Sequence, residues 1–231
     1  MKARVWLPIA GIGVLLAACA DETQPPGCDP CPPPPDTLSP GDLVHGLAIA
    51  YQTRNYELFA SLLAHDPDRN ADYLYLQADS TGLGQTALWG YGEEVRIHRR
   101  MFRPEDPLPG EAPVHADLWL SSITVHLTPK TSWKERTDLY SADRGADGKL
   151  DPAVWKAVEA AYSADLLLDT QSEVDYQIRA TEIFVVIEDL TKQMGAPGKF
   201  LLLSWTDLCS APRSLGSLDS GCWTAVKSLY I

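Results

Sequence analysis

Positive charge is scarce in this chain: 19 Lys and Arg stand against 31 Asp and Glu, for a formal net charge of −12. A body this acidic is repelled by phosphates, which excludes nucleic acid as a partner and argues against adhesion to anionic lipid through charge. There is no G-x-S-x-G, no H-E-x-x-H and no phosphate-cradling glycine loop. No Ser/His/Asp set has a recognisable local context either. These absences count against hydrolase and nucleotide-dependent chemistry. No internal repeat is evident, and beyond residue 19 no apolar run is long enough to cross a bilayer. No cofactor is implied by any motif.

The N-terminus is where the sequence becomes specific. Lys2 and Arg4 precede Trp6–Leu16, apolar apart from glycine and proline, and Ala17-Ala18 then lead directly into Cys19. That is the three-part build of a secretory signal, with a cysteine at the first mature position in place of an A-x-A site. The apolar run is too short to span comfortably as a permanent helix. The segment resembles a bacterial lipoprotein signal. The resemblance implies removal of residues 1–18, lipidation of Cys19, and a cell-envelope location with the membrane as partner through that anchor. Ala20, with an acidic residue only at Asp21, favours the outer membrane by the same resemblance.

Five cysteines become four once Cys19 is acylated, an even number in an oxidising compartment. Cys209 and Cys222 flank a Ser/Gly-rich loop between two expected strands and form the favoured disulfide. Cys28-Asp29-Pro30-Cys31 lies in a proline-rich tether, residues 19–38, which lacks the strand and helix that a redox site requires. The same pair lacks the second half of a zinc site. At about 3 Å per residue the tether holds the folded body roughly 50 Å from the lipid at most. Residues 39–231 suit one domain.

That domain opens on Ser39-Pro40-Gly41-Asp42, a capping box with proline in the first turn. Leu43, Val44, Leu47, Ala48 and Tyr51 recur at helical spacing, and Tyr56, Phe59, Leu62 and Leu63 repeat it after Asn55. Tyr73–Gln77 reads as a strand with Leu74 and Leu76 on one face. A third helix is expected over Gly92–Phe102, and a long strand over Leu118–Leu127 with a bulge at Ser121-Ser122. Asp151-Pro152 is expected to start another helix with an apolar face of Trp155, Val158 and Tyr162. Strands are expected at about 173–188, 199–207 and 223–230.

This α+β order resembles nuclear-transport-factor-2-like (NTF2-like; also SnoaL-like or cystatin-like) domains. The residues that carry the resemblance are Leu47–Phe59, Trp89-Gly90 before a charged helix ending Arg100-Met101-Phe102, and the closing runs Phe184–Val186, Leu203–Leu208 and Trp223–Tyr230. It implies a cone in which a curved antiparallel sheet wraps around the N-terminal helices. Residues 129–171 depart from the pattern and read as a helix-containing insertion that could cover the mouth of the cone. A homodimer through the open sheet face is implied as well.

Fold does not decide function here, since domains of this kind include isomerases, dehydratases and scaffolds. The expected role is a non-catalytic envelope lipoprotein whose domain binds a small apolar ligand or an envelope protein. The alternative is a small-molecule lyase or isomerase with an acid or base in the cone, whose residues the sequence does not assign. Tyr51, Trp89, Trp119 and Trp205 are the candidates to line a pocket, against a competing role in core packing. His115, Asp117 and His126 read as solvated sheet residues. Glu94 and His98, four apart on the third expected helix, read as a surface pair. Asp143–Asp151 faintly resembles a calcium loop but lacks the bidentate Glu at its twelfth position, which is Val154; no metal site is expected.

Overall fold

The computed structural model describes residues 39–79, 86–141, 148–172, 175–191, 199–209 and 222–231. The leader, Cys19, the tether with Cys28 and Cys31, and residues 143–147 of the acidic loop lie outside them. Among the described residues, no helix is long and apolar enough to cross a membrane.

Ser39 caps α1 (Pro40–Gln52) as its sequence predicts: its Oγ accepts the Asp42 N–H at 3.1 Å and donates to Asp42 Oδ2 at 2.8 Å. Asn55 does the same for α2 (Tyr56–Leu62), its Oδ1 accepting from Leu58 N–H at 2.9 Å. Between them Arg54 takes φ +50°, a left-handed turn that folds α2 back onto α1. Leu43, Leu47, Tyr51, Phe59 and Leu62 are all buried by this arrangement.

A small hairpin, β1 (His65–Asp66) and β2 (Ala71–Asp72), then leads into β3 (Leu74–Asp79), β4 (Thr86–Gly90) and α3 (Tyr91–Phe102). The remaining strands are β5 (Leu120–Pro129), β6 (Lys134–Glu135), β7 (Trp155–Thr170), β8 (Asp175–Asp189) and β9 (Phe200–Cys209). They form one sheet in the order β4-β3-β9-β8-β7-β5, with β6 added beside β7. Every pairing is antiparallel except β3 with β9. Register shifts at Tyr75/Leu76, Leu120/Ser122 and Val185/Val186 mark where the ladder is irregular. The second is the bulge expected at Ser121-Ser122, and such bulges bend strands and deepen twist. The result is an α+β fold with a curved, mostly antiparallel sheet against the N-terminal helices, the cone architecture the sequence implied.

Register sorts the side chains cleanly. The row Tyr75–Trp205–Phe184–Ala160 faces the helices, and the row Leu74–Ser204–Val185–Glu159 faces away. The main core lies on the first face; a smaller one, built on Trp155, Ala157, Val185, Ile187 and Leu201, lies on the second.

Two expected elements are different structures. The helix expected from Asp151 is strand β7: Trp155 packs in the outer core while Val158 and Tyr162 pack in the inner one. The apparent helical period therefore joined residues from opposite faces of a strand, and pairing with both β5 and β8 decided the matter. Among its described residues the inserted segment holds a short 3-10 turn, Thr137–Leu139. The strand expected at 223–230 is helix α4 (Trp223–Lys227) followed by a 3-10 turn, Ser228–Tyr230. It pairs with no strand among the described residues, and its apolar residues Trp223, Val226 and Tyr230 sit three to four apart, all buried.

Candidate functional site

The helical spacing of the C-terminus aims Trp223, Lys227 and Tyr230 into the cone, and all three are fully buried. There they meet Glu94 and His98 from α3, Glu182 from β8, Asp207 from β9, and Tyr51, Tyr73, Tyr75 and Trp205, none more than 2% exposed. Lys227 Nζ donates to Glu94 Oε1 at 2.5 Å and lies 3.6 Å from the Tyr75 ring centre and 4.5 Å from that of Trp205. Buried charge on this scale is tolerated only when paired and hydrogen-bonded. Glu94 is: Tyr73 O–H also donates to Oε1 at 3.2 Å, and Trp89 Nε1 donates to Oε2.

His98 sits one turn on, stacked on Phe59 with ring centres 3.7 Å apart. Its Nδ1–H donates to the Glu94 backbone carbonyl at 2.8 Å, which leaves Nε2 to accept the Tyr51 O–H. The ring is thereby neutral, and burial together with the Lys227 charge holds its pKa well below the ordinary histidine value. Burial, reinforced by the Glu94 charge, pushes the Tyr51 hydroxyl up, so it stays a donor.

On the sheet side, Trp205 Nε1 donates to Glu182 Oε2 at 2.6 Å, while Glu182 Oε1 has no hydrogen-bond partner among the described residues. Burial, then the Asp207 charge, drives the Glu182 carboxyl well above the usual carboxylate range. Asp207 Oδ2 accepts the Thr224 N–H at 2.8 Å, Thr224 Oγ1 at 3.0 Å and Tyr75 O–H at 3.3 Å. Burial raises its pKa too. Asp207 thereby fastens the start of α4 to the sheet. Desolvation lowers the Lys227 pKa, and the Glu94 charge opposes that shift.

Of the sequence-chosen aromatics, Tyr51 and Trp205 enter this cluster, and Trp89, half-buried, closes its edge by stacking on Tyr75 at 5.1 Å. Trp119 lies apart, its Nε1 donating to Val114 O at 3.1 Å. His115 and Asp117 are exposed and pair with each other at 3.1 Å; His126 is exposed. The Glu94–His98 reading needs correction: the spacing was right, but both residues are in the interior, because α3 turns this face to the cone. Lys227, Glu182 and Asp207 were missed. A signal existed for the last two, since each lies two residues from an inward aromatic, Phe184 and Trp205.

Three cavities lined by described residues lie elsewhere. One of about 360 Å³ opens between α1 and β5 beside His45 and His126, and one of about 300 Å³ lies at the Asp165–Arg179 rim of the sheet. A third, about 260 Å³, sits on the outer face beside Arg136, Leu139 and Leu150. None of these three has Glu94, His98, Glu182 or Lys227 in its wall. Among the described residues of the expected insertion, Arg136, Asp138, Leu139 and residues 148–150 line this cavity on the back of the sheet with Leu74, Val185 and Ser204, away from the cone mouth the sequence suggested. Among the described residues there is no group of three or more metal-ligating side chains.

No protein-family model matches the chain, and no curated protein does. Solved structures do resemble it. A protein assigned as an aromatic ring hydroxylase from Novosphingobium aromaticivorans aligns with 13% identity and a TM-score of 0.42, over 80% of this chain and 96% of its own. A protein of the NTF2-like family assigned as a dehydratase, from Streptomyces avermitilis, gives 12% and 0.41 over 75% and 94%. The beta subunit of the benzoate 1,2-dioxygenase from Burkholderia mallei gives 10% and 0.38 over 74% and 91%. At these values no activity carries across to this chain.

Proposed function

We propose that this protein is a lipid-anchored envelope protein whose NTF2-like domain works by binding, with no chemistry inside the cone. The observation that supports the non-catalytic half is the C-terminal helix. Trp223, Lys227 and Tyr230 occupy the space in which a substrate would have to sit, and Glu94, Asp207 and the aromatic rings hold them there. The anchor and the export of the domain rest on Lys2, Arg4, the apolar run and Leu16-Ala17-Ala18-Cys19. Binding of a ligand or an envelope protein then falls to the outer surfaces, including the outer-face cavity beside Arg136, Leu139 and Leu150.

A second reading, a lyase or isomerase, draws on one observation. Tyr51 and His98 form a hydrogen-bonded acid–base pair in an apolar setting, the arrangement general acid–base chemistry uses. It requires α4 to leave the cone. The test is ligand capture by the full-length protein and by His98→Gln. Retention of the same ligands by both supports binding outside the cone; loss of capture in His98→Gln moves the protein to the enzymatic reading.

A further inference from the structure

The ammonium of Lys227 lies in a cage of aromatic faces. Its Nζ is 3.6 Å from the ring centre of Tyr75, 4.5 Å from that of Trp205 and 5.7 Å from that of Trp223, all within reach of a cation–π contact. Among the described residues its one hydrogen bond goes to Glu94 Oε1, at 2.5 Å. An ammonium carries three N–H groups, so this occupant uses only part of its donor capacity. The acceptors around it are in excess. Glu182 Oε1 is buried with no hydrogen-bond partner among the described residues. Burial lowers the Lys227 pKa, and the charges of Glu94, Glu182 and Asp207 all oppose that shift.

The seat is finished without its occupant. Glu94 is held by the Tyr73 O–H at 3.2 Å and by Trp89 Nε1, and Glu182 by Trp205 Nε1 at 2.6 Å. Tyr75 is backed by Trp89, stacked on it at 5.1 Å. None of these residues belongs to α4; of the rings facing the ammonium, only Trp223 does. A structural ion pair needs one acceptor and no cage. Rings and carboxylates set in place beforehand are what recognition of a free cation uses. The 2.5 Å contact to Glu94 requires an N–H donor, which a primary ammonium has and a quaternary one lacks.

We propose that the cone is a binding site for a primary alkylammonium, kept filled by the chain's own Lys227, so that α4 is its internal ligand. This goes beyond capture on the outer surfaces and holds or fails independently of it.

The test is to remove the guest and offer it back. Lys227→Ala in the full-length protein removes the side chain beyond Cβ, the fragment that n-propylamine restores, and a buried cavity left by truncation admits small molecules of matching shape. Urea midpoints are measured at neutral pH and constant ionic strength with n-propylamine, 1-propanol and tetramethylammonium. n-Propylamine is expected to raise the Lys227→Ala midpoint saturably, at about one-tenth of the concentration that either other probe needs. Wild type, with its seat taken, should show no saturable rise. Adding Glu94→Gln to Lys227→Ala is expected to erase the preference for amine over alcohol. If Lys227→Ala does not fold alone, the expected result is return of a cooperative urea transition with n-propylamine and not with 1-propanol. A midpoint indifferent to n-propylamine, a chain still unfolded in it, an equal response to amine and alcohol, or a preference that survives Glu94→Gln overturns the proposal and leaves Lys227 and Glu94 a structural ion pair only.

Discussion

Lys227 Nζ and Glu94 Oε1 lie 2.5 Å apart with both side chains fully buried, joining the last helix of the chain to the third across the interior. Breaking one side of such a pair leaves an uncompensated buried charge, at a cost of about 3–5 kcal/mol. Lys227→Met is therefore expected to lower unfolding stability by about that amount. Glu94→Gln in the same chain should recover part of the loss, because it removes the uncompensated charge while the amide oxygen accepts from Trp89 and the amide N–H donates to the Tyr73 hydroxyl in place of the oxygen it replaces. Urea denaturation of the two single variants and the double variant measures the coupling.

The pH dependence of stability should separate His98 from Glu182. The folded His98 pKa lies below its unfolded value of about 6.5, so the unfolded chain binds the extra proton between the two. Stability from this residue is full above about pH 6.5 and is lost as pH falls below it. Glu182 has the opposite sign: its folded pKa is raised, so its contribution is full at low pH and fades as pH rises above about 4.3. His98→Gln should flatten the decline below about pH 6.5, and Glu182→Gln should make stability rise more steeply from about pH 4.5 to 7. Urea midpoints across that range check both; profiles parallel to wild type contradict them.

Cys209 ends β9 and Cys222 caps α4, and the Cys209 side chain lies outside the described residues. The disulfide between them therefore stands as a prediction. Non-reducing peptide mapping should find it, and Cys209→Ser should destabilise by about 2–3 kcal/mol through loss of the closed loop. Cys222→Ser should cost the same, and the double variant no more.

Cys19 is expected to be the mature N-terminus, diacylated or triacylated. Intact-mass measurement of the protein extracted from membranes should show the acyl groups, and Cys19→Ala should leave the unprocessed precursor. An acyl-free mature N-terminus in the wild type contradicts the anchor.

Legibility in the sequence followed the locality of the forces. Ser39 and Asn55 announce their helices because a cap is a contact between residues three apart, and the Ser121-Ser122 bulge shows as a break in alternation. Trp155, Val158 and Tyr162 misled because a helical spacing is also a set of strand positions on both faces, and only the two flanking strands choose. Trp223–Tyr230 misled for the converse reason: β-branched and aromatic residues favour a strand, but Trp223, Val226, Lys227 and Tyr230 are buried together at helical spacing. The interior charge cluster was the hardest to see. Glu94 and His98 were paired correctly and placed on the wrong side of α3, since the partner that makes their burial tolerable, Lys227, lies far away in sequence and reaches them only once the cone has closed.

A cone that is filled and shut shields the indole protons of Trp89 and Trp205, which report on it directly. They donate to Glu94 and Glu182 inside the cluster. Hydrogen exchange of these two Nε1–H groups, followed by NMR against urea concentration, should proceed only through global unfolding, with the same free energy and denaturant slope as the whole protein. Exchange within minutes and independent of urea would mean that α4 leaves the cone under native conditions, and that Tyr51 and His98 are open to substrate after all.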